Sequence, residues 1–268
     1  MIHPTAIVHP DAKLAPSVRV GPYAVIDAGV ELGPDCVVGP HVYLTGLMVI
    51  GARNRFFAGS VIGEAPQDLK YKDEPTGARI GDDNVFREHV TVHRSTRPGE
   101  ETVIGSKNLF MAHSHVGHNC RVGNAVILAN GVLLGGHVRI EDRAFLSGNC
   151  LVHQFTRVGT LALMQGGTAI SKDLPPFTVA KGVNRICGLN IIGLRRAGLS
   201  PAERLELKQL YRALFREGAK LRAALSEAST RFSSPSAKTL LAFIAASKRG
   251  VCADVNGASI RETDVDAE

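Results

Sequence analysis

The sequence predicts a left-handed parallel β-helix of hexapeptide repeats, followed by a small α-helical C-terminal domain. Two observations lead to this fold class: an apolar residue recurs at every sixth position, and the composition changes after residue 175. The frame runs from Ile2 to Ile170, and of its 29 positions only Asp68, Glu74 and Pro98 are not apolar. Apolar residues make up only 44% of the chain, so a frame of this length is not a chance pattern.

A period of six fits neither an α-helix nor a two-sided strand, but it fits a triangular prism whose faces are short strands. Three hexads complete one coil, and the left-handed winding is an exception to the usual right-handed crossover. Glycine often follows the apolar residue, and we expect it to provide the backbone conformation of the corners. The fourth residue after the apolar one is small, which places Cys36, Cys120 and Cys150 in the core rather than in redox chemistry.

The β-helix is predicted to occupy residues 1–175, with an inserted loop at 68–79. That loop is polar and turn-rich, and it replaces two whole hexads, so the frame resumes in phase. A second excursion surrounds residues 97–102. Loops that leave a rigid scaffold often carry function.

Residues 176–252 are predicted to form the helical domain. Ser200, Pro201 and Glu203 form a capping box that opens a helix with an apolar face extending to Leu225. A second helix is expected from Ser236 to Lys248. The remaining residues, 253–268, are acidic and poor in apolar side chains, which predicts a disordered tail.

Charge and composition restrict the partners. Residues 176–252 contain fourteen Lys and Arg but four Asp and Glu, a net charge of +10, which should attract an acidic protein or another polyanion. Aromatic residues do not interleave with the basic ones, so nucleic acid is not expected. No apolar run is long enough for stable membrane insertion. Five cysteines without a CxxC pair, and no secretory leader, predict a cytoplasmic protein.

Five of the ten histidines lie between residues 113 and 153. His118 and His137 are little more than one coil apart, so they should be neighbours on adjacent coils. Such a cluster fits a metal site, as in the γ-class carbonic anhydrases on this fold, where His113 and His118 would have a similar spacing. It also fits general-base catalysis on a substrate hydroxyl. A polar face of a non-catalytic scaffold is the third interpretation.

Residues 108–124, NLFMAHSHVGHNCRVGN, resemble the UDP-N-acetylglucosamine O-acyltransferases that begin lipid A synthesis. The same resemblance extends over about residues 1–252 and includes segments 66–71, 92–94, 136–138, 152–155, 173–176 and 188–196. It implies a homotrimer that moves a 3-hydroxyacyl group from acyl carrier protein to the 3-hydroxyl of UDP-N-acetylglucosamine. No cofactor or metal is implied beyond the phosphopantetheine that carries the acyl group.

The resemblance also assigns roles to residues. His118 matches the general base, and the Gly136 N–H matches the donor to the thioester oxyanion. Gly166 matches the position that sets acyl-chain length, where a glycine favours a longer chain, and Met164 is expected to reach into the same cleft. The positions that match substrate contacts are Asp68, Lys70, His115, His137, Gln154, Asn190 and Arg196.

Two positions depart from the family pattern. At Ala197 the basic run that follows the Asn190 motif is one basic residue short, so one substrate contact is expected to be missing. The base is usually followed by an aspartate that orients the imidazole, whereas this chain has Asn119. An amide oxygen can still accept the ring N–H, but without a charge it should leave a less basic His118. Some relatives prefer a 3-amino sugar nucleotide as acceptor, and the sequence leaves this alternative open, together with the metal-dependent hydratase.

Overall fold

A computed structural model describes residues 1–218 and 220–256. Most of the chain winds into a triangular prism of parallel strands, in which every third strand belongs to the same sheet. Most neighbouring strands of one sheet are eighteen residues apart, as in the pairing of Ile7 with Val25. This is the three-hexad coil that the apolar frame predicts.

The three faces of the prism are called sheets 1, 2 and 3, and strands are numbered along the chain. Sheet 1 contains β1 (Ile7–Val8), β4 (Val25–Ile26), β7 (Tyr43–Leu44), β10 (Val61–Glu64), β13 (Thr91–His93), β16 (His115–Val116), β19 (Leu133–Leu134), β22 (Leu151–Val152) and β25 (Ala169–Ile170). Sheet 2 contains β2 (Lys13–Leu14), β5 (Val30–Leu32), β8 (Leu47–Ile50), β11 (Gly77–Ile80), β14 (Glu101–Ile104), β17 (Arg121–Val122), β20 (Arg139–Ile140) and β23 (Arg157–Val158). Sheet 3 contains β3 (Arg19–Val20), β6 (Val37–Val38), β9 (Arg55–Phe56), β12 (Val85–Phe86), β15 (Leu109–Phe110), β18 (Ile127–Leu128), β21 (Phe145–Leu146), β24 (Leu163–Met164), β26 (Thr178–Ala180), β27 (Arg185–Leu189) and β28 (Ala253–Asp254).

The apolar frame forms the core of the prism. Phe56, Phe86 and Phe110 stack on successive coils, with ring centroids 5.0 and 4.7 Å apart. Cys36, Cys120 and Cys150 are fully buried, as predicted. Burial raises the pKa of the Cys120 thiol to about 12, which keeps it protonated at neutral pH.

The conformation of the corners differs from the sequence expectation. The residue with positive φ is the third after the apolar one and is seldom glycine, as at Asn119 (φ 57°) and His137 (φ 59°). The glycine after the apolar residue instead allows close approach of the next coil. A Cβ at Gly117 would lie 2.8 Å from the Leu134 carbonyl oxygen. The glycines are therefore required by coil stacking, because no side chain fits between the coils.

Strand register confirms the two excursions. Val61 pairs with Thr91, and their separation along the chain exceeds one eighteen-residue coil by twelve residues. Thr91 pairs with His115, and their separation exceeds one coil by six residues. The inserted loop ends earlier than predicted, since Gly77 already pairs with Leu47 in sheet 2. Residues 77–79 therefore belong to a strand, and the loop occupies 65–76.

The C-terminal region contains α1 (Ile191–Arg196), α2 (Pro201–Phe215), α3 (Leu221–Arg231) and α4 (Pro235–Ala245). The predicted capping box at Ser200 and Glu203 begins α2. The apolar stretch to Leu225 is two helices rather than one, because the chain turns at Gly218, where φ is 77°. None of the four helices in the described part of the chain has the length and apolar character that crossing a bilayer requires.

The boundary and the tail also differ from the sequence expectation. The prism continues beyond residue 175, since β26 pairs in parallel with β24. Ala253 and Asp254, predicted to be disordered, form β28 beside β27. The buried Asp254 carboxylate accepts hydrogen bonds from the Tyr211 hydroxyl and, at 3.1 Å, from Arg216 Nε, which hold this strand. The rest of the predicted tail, 257–268, lies outside the described residues.

A buried ion pair joins the helices to the prism. Asp173 Oδ2 accepts hydrogen bonds from Arg157 Nη2 at 2.7 Å and from Ser247 Oγ at 2.8 Å. Arg157 Nη2 also donates to the Phe243 carbonyl of α4 at 2.8 Å. These contacts hold the end of α4 against sheet 2, next to the corner where sheets 1 and 2 meet.

Candidate active site

Most of the predicted site residues lie at the corner between sheets 1 and 2, called corner 1/2. His118, Gly136 and Gln154 follow sheet 1 strands of three successive coils and stack in a column. Both excursions leave the prism at this corner, between β10 and β11 and between β13 and β14. The eighteen-residue coil therefore brings candidate catalytic and binding residues from distant parts of the chain to one corner.

His118 is held in one tautomer by Asn119. His118 Nδ1 lies 2.9 Å from Asn119 Oδ1, which also accepts hydrogen bonds from the backbone N–H and the hydroxyl of Thr96, both at 3.1 Å. Because a backbone N–H can only donate, the amide oxygen must face it, and His118 Nδ1 must then carry the proton. His118 Nε2 consequently has a free lone pair, which a general base needs.

Gly136 lies directly against the imidazole edge that carries this lone pair. A Cβ at Gly136 would be 2.5 Å from both Cε1 and Nε2 of His118. The Gly136 N–H finds no acceptor among residues 1–218 and 220–256, whereas the Gly135 N–H donates to the Val152 carbonyl at 2.9 Å. An unpaired N–H beside a general base is the arrangement that an oxyanion donor requires.

Three further histidines surround His118. His137 packs edge-on against it, with ring centroids 5.2 Å apart, as the coil spacing predicts. His93 and His115 are also edge-on, 4.8 Å apart, and Thr91 Oγ1 lies 2.7 Å from His115 Nδ1. Burial, and then the charges of the neighbouring imidazoles, lower the pKa of His115 to about 4. The pKa values of His93 and His137 are lowered for the same reasons, first by burial and then by His118.

The inserted loop is anchored at the same corner. Arg94 Nη1 donates to the Gly63 carbonyl at 2.9 Å, and its Nη2 donates to the Tyr71 hydroxyl at 3.2 Å. Asp68 is half-buried and accepts the Lys70 backbone N–H at 2.9 Å, while the Lys70 side chain is exposed. The negative charge of Asp68 acts on His137, where it opposes the lowering of the imidazole pKa by burial.

A cavity of about 610 Å³ opens beside His137 and extends to the end of α4. Basic side chains outnumber acidic ones in its wall. The basic residues are Arg121, Arg139, Arg157, Lys248 and Arg249, and the acidic ones are Glu100, Glu101 and Asp173. The cavity therefore favours an anionic ligand.

Four predicted site residues lie elsewhere. Gly166 is exposed at the corner between sheets 3 and 1, called corner 3/1. Met164 is fully buried in the prism, so its assignment to an acyl-chain cleft is wrong. Asn190 caps α1 by accepting the Gly193 N–H at 2.9 Å, and it also donates to the Leu161 carbonyl. Arg196 is exposed in the last turn of α1. Asn190 thus packs at the third corner, where sheets 2 and 3 meet.

The spacing of His113 and His118 does not bring their side chains together. His113 lies at corner 3/1, where its ring stacks on His89 at 5.2 Å. Within residues 1–218 and 220–256, no three His, Cys, Asp or Glu side chains are arranged to hold a metal ion.

Sequence reasoning missed the roles of His93 and Thr96, which contact His115 and Asn119. His93 follows the frame residue Val92, so its position at corner 1/2 could have been inferred from the period. Thr96 lies in an excursion outside the frame, and nothing in the sequence indicates which residue it meets.

Comparisons with known proteins identify the family. The family model described as UDP-N-acetylglucosamine O-acyltransferase, domain 2, matches residues 173–252, and the bacterial transferase hexapeptide model matches 11–46 and 101–136. The acyl-[acyl-carrier-protein]–UDP-N-acetylglucosamine O-acyltransferase of Alkalilimnicola ehrlichii is 46% identical over 253 residues, covering 93% of this chain and 98% of the relative. That of Gloeothece citriformis is 46% identical over 244 residues, covering 91% and 88%. The chain belongs to the UDP-N-acetylglucosamine O-acyltransferase family.

Solved structures of this acyltransferase family confirm the fold class. The Francisella novicida enzyme superposes with a TM-score of 0.91 at 34% identity, covering all of both chains. The Acinetobacter baumannii structure gives a TM-score of 0.90 at 37% identity, covering 93% of this chain and 98% of that one. The left-handed β-helix followed by short helices is therefore the fold of this family member.

Proposed function

We propose that this chain transfers a 3-hydroxyacyl group from acyl carrier protein to the 3-hydroxyl of UDP-N-acetylglucosamine, with His118 as the general base. The relatives are named for acyl transfer from acyl carrier protein to an oxygen of UDP-N-acetylglucosamine. The resemblance adds the 3-hydroxyacyl donor, the 3-hydroxyl acceptor and the place at the start of lipid A synthesis. The observation that carries the proposal is the His118 imidazole, held with its Nε2 lone pair beside the unpaired Gly136 N–H.

The steps follow from this geometry. His118 Nε2 takes the proton of the sugar hydroxyl, and the oxygen attacks the thioester carbonyl carbon. The Gly136 N–H donates to the oxyanion of the tetrahedral intermediate. When that intermediate collapses, the carbon–sulfur bond breaks, and the departing thiolate receives the proton from the imidazolium. The ester product and the free thiol balance the reaction, and His118 returns to its neutral form.

The basic cavity beside His137 supports an acidic, phosphate-bearing donor. Phosphopantetheine carries a phosphate, and a carrier protein with an acidic surface would be attracted to the net charge of +10 on residues 176–252. Arg249 and Lys248 extend the basic wall of the cavity onto the helical region. The donor would then approach His118 from the side of α4.

We propose a homotrimer because, within a single chain, the predicted site residues lie at three different corners of the prism. The outer face of sheet 1 joins the His118 corner to the Gly166 corner, and there Leu133 and Leu151 are 45% and 47% exposed. A groove of about 380 Å³ runs beside them. A second copy covering this face would convert the groove into an apolar cleft for the acyl chain.

We place the protein in the cytoplasm. All five cysteines, which lie in the described residues, are free thiols, and four of them are buried. Unpaired cysteines are typical of a reducing compartment.

The test is acyl transfer by the purified chain, followed by mass spectrometry, with UDP-N-acetylglucosamine and 3-hydroxyacyl carrier proteins of several chain lengths. His118→Ala should abolish the acylated sugar nucleotide, whereas His113→Ala, a histidine change at another corner, should keep it. A product formed only with the 3-amino sugar nucleotide would identify that acceptor instead. Absence of product with every donor and acceptor, together with a bound transition metal, would favour the hydratase. Native mass spectrometry tests the trimer.

A further inference from the structure

Asn119 connects His118 to a carboxylate. Its Nδ2 donates to Glu100 Oε2 at 2.6 Å, while its Oδ1 accepts from His118 Nδ1 at 2.9 Å. The orientation of the amide is determined by its partners, since the Thr96 N–H can only donate and a carboxylate oxygen can only accept. The three side chains therefore form one hydrogen-bond chain with a negative charge at its outer end.

The chain is held in place by backbone contacts. The Asn119 N–H donates to Thr102 Oγ1 at 2.8 Å, and φ at Asn119 is 57°, a conformation that asparagine tolerates better than most residues. Ser95 Oγ donates to the Glu100 carbonyl oxygen, and the Glu100 N–H donates to the Arg97 carbonyl at 3.1 Å. The second excursion is thereby folded so that Glu100 returns to corner 1/2.

We propose that Glu100 is a positioning residue that acts on His118 through Asn119 and supplies the negative charge that the asparagine lacks. This proposal rests on the proposed role of His118 as the general base. When His118 takes the proton from the sugar hydroxyl, its ring becomes positive, and the Nδ1–H bond to Asn119 strengthens. The Glu100 carboxylate polarises the amide toward a more negative Oδ1, so the imidazolium is stabilised across two hydrogen bonds.

The contact with Glu100 also explains why position 119 carries an amide rather than a carboxylate. A carboxylate there would place its oxygen where Nδ2 now stands, 2.6 Å from Glu100 Oε2. Two carboxylates in such contact repel each other, and one of them takes up a proton. Asparagine is the residue of that shape that can accept from the imidazole and donate to Glu100 at the same time. Asn119 and Glu100 together thus replace a single aspartate.

Other titratable groups lie near His118 and must be held constant in any test. They are the imidazoles of His93, His115 and His137, whose pKa values are lowered, so that they are mainly neutral at pH 7. Two charged side chains, Arg97 and Asp68, act on the pKa of His137.

Glu101 provides a matched control. It lines the same cavity as Glu100, but its carboxylate pairs with Arg79, at 2.9 Å from Nη2 and 3.0 Å from Nε. Glu101→Gln removes one negative charge near the corner without breaking the hydrogen-bond chain.

The experiment is an NMR titration of the His118 ring, identified by its loss in His118→Ala, in the wild-type protein, Glu100→Gln and Glu101→Gln. Loss of a charge two hydrogen bonds away from the ring should lower the pKa of His118 by about 0.5 units or more in Glu100→Gln. In Glu101→Gln the pKa of His118 should stay within about 0.2 units of the wild-type value. The acid limb of the kcat/KM profile should move to lower pH by the same amount in Glu100→Gln, with a plateau reduced about threefold to tenfold.

A charge swap distinguishes the hydrogen-bond chain from a structural role. In the double variant Glu100→Gln/Asn119→Asp the charge moves to position 119, and the new amide at position 100 can donate to it, so the pKa of His118 should return to the wild-type value or above. If Glu100 were merely structural, Glu100→Gln would lower the plateau of the kcat/KM profile without moving its acid limb. If Glu100→Gln and Glu101→Gln shifted the pKa of His118 equally, the charge would act through solvent rather than through Asn119. Either result overturns the proposal. The NMR titration needs no turnover, so an inactive wild-type protein would refute the proposed function while the titration still decides the role of Glu100.

Discussion

Replacing Gly136 by alanine should impair the general base without unfolding the protein. The new Cβ would lie 2.5 Å from Cε1 and Nε2 of His118, whereas carbon atoms in contact are normally about 3.5 Å apart. Gly136 has no positive φ, so alanine fits the backbone there and the imidazole must yield instead. The ring must therefore move by about 1 Å. A displacement of about 1 Å at the reacting centre costs roughly 100-fold in rate, or about 2.7 kcal/mol in the activation barrier.

The assay is kcat/KM for acyl transfer, measured by mass spectrometry and accompanied by a melting curve. Gly148→Ala is the control, because Gly148 holds the same place in its hexad at corner 3/1, and its Cβ would lie an unstrained 3.5 Å from the Asn130 carbonyl oxygen. We expect Gly148→Ala to retain activity within about twofold, with both variants melting within a few degrees of the wild-type protein. Wild-type kcat/KM in Gly136→Ala would refute the reasoning, because the base would then not act from this position.

Three further predictions concern pH, stability and specificity. Unfolded His115 binds a proton near pH 6.5 but the folded residue only near pH 4, so between these values the unfolded state binds more protons and the free energy of unfolding should decrease as pH falls. Urea titrations at several pH values check this, and an equal slope in His115→Asn would contradict it. Asp173→Asn should cost roughly 3 kcal/mol of unfolding free energy, because it leaves the half-buried Arg157 charge without its partner; a loss below about 1 kcal/mol would count against that ion pair. Gly166→Met should shift the preferred donor to a shorter acyl chain, since the position is open and exposed; an unchanged donor profile would remove Gly166 from the acyl cleft.

Much of the site could be predicted because the fold repeats. An eighteen-residue coil converts sequence spacing directly into spatial columns, so the neighbours His118 and His137 and the column from His118 to Gly136 and Gln154 follow from counting. The same counting places Met164 in the frame, hence in the core, and should have excluded it from the cleft. The expectation that Met164 reaches into the cleft overlooked its place in the frame, which already indicates burial.

Other features depend on residues outside the frame. The turn at Gly218 separates α2 from α3, although the leucines continue on both sides with helical spacing. Asp254 forms a strand only because Tyr211 and Arg216 provide donors for its buried carboxylate. Local composition favoured a longer helix and a disordered tail, and tertiary contacts overrode both preferences.

The sequence by itself determined the prism, the order of its coils, the two excursions at one corner and the column that contains His118. These follow from a local period, in which each hexad repeats the same packing rule. Only the tertiary structure decided that Asn119 joins His118 to Glu100, and that Gly136 leaves no room for a side chain beside the imidazole. The first contact depends on how an excursion returns to the corner, and the second on the direction in which the His118 ring points, and the repeating pattern encodes neither.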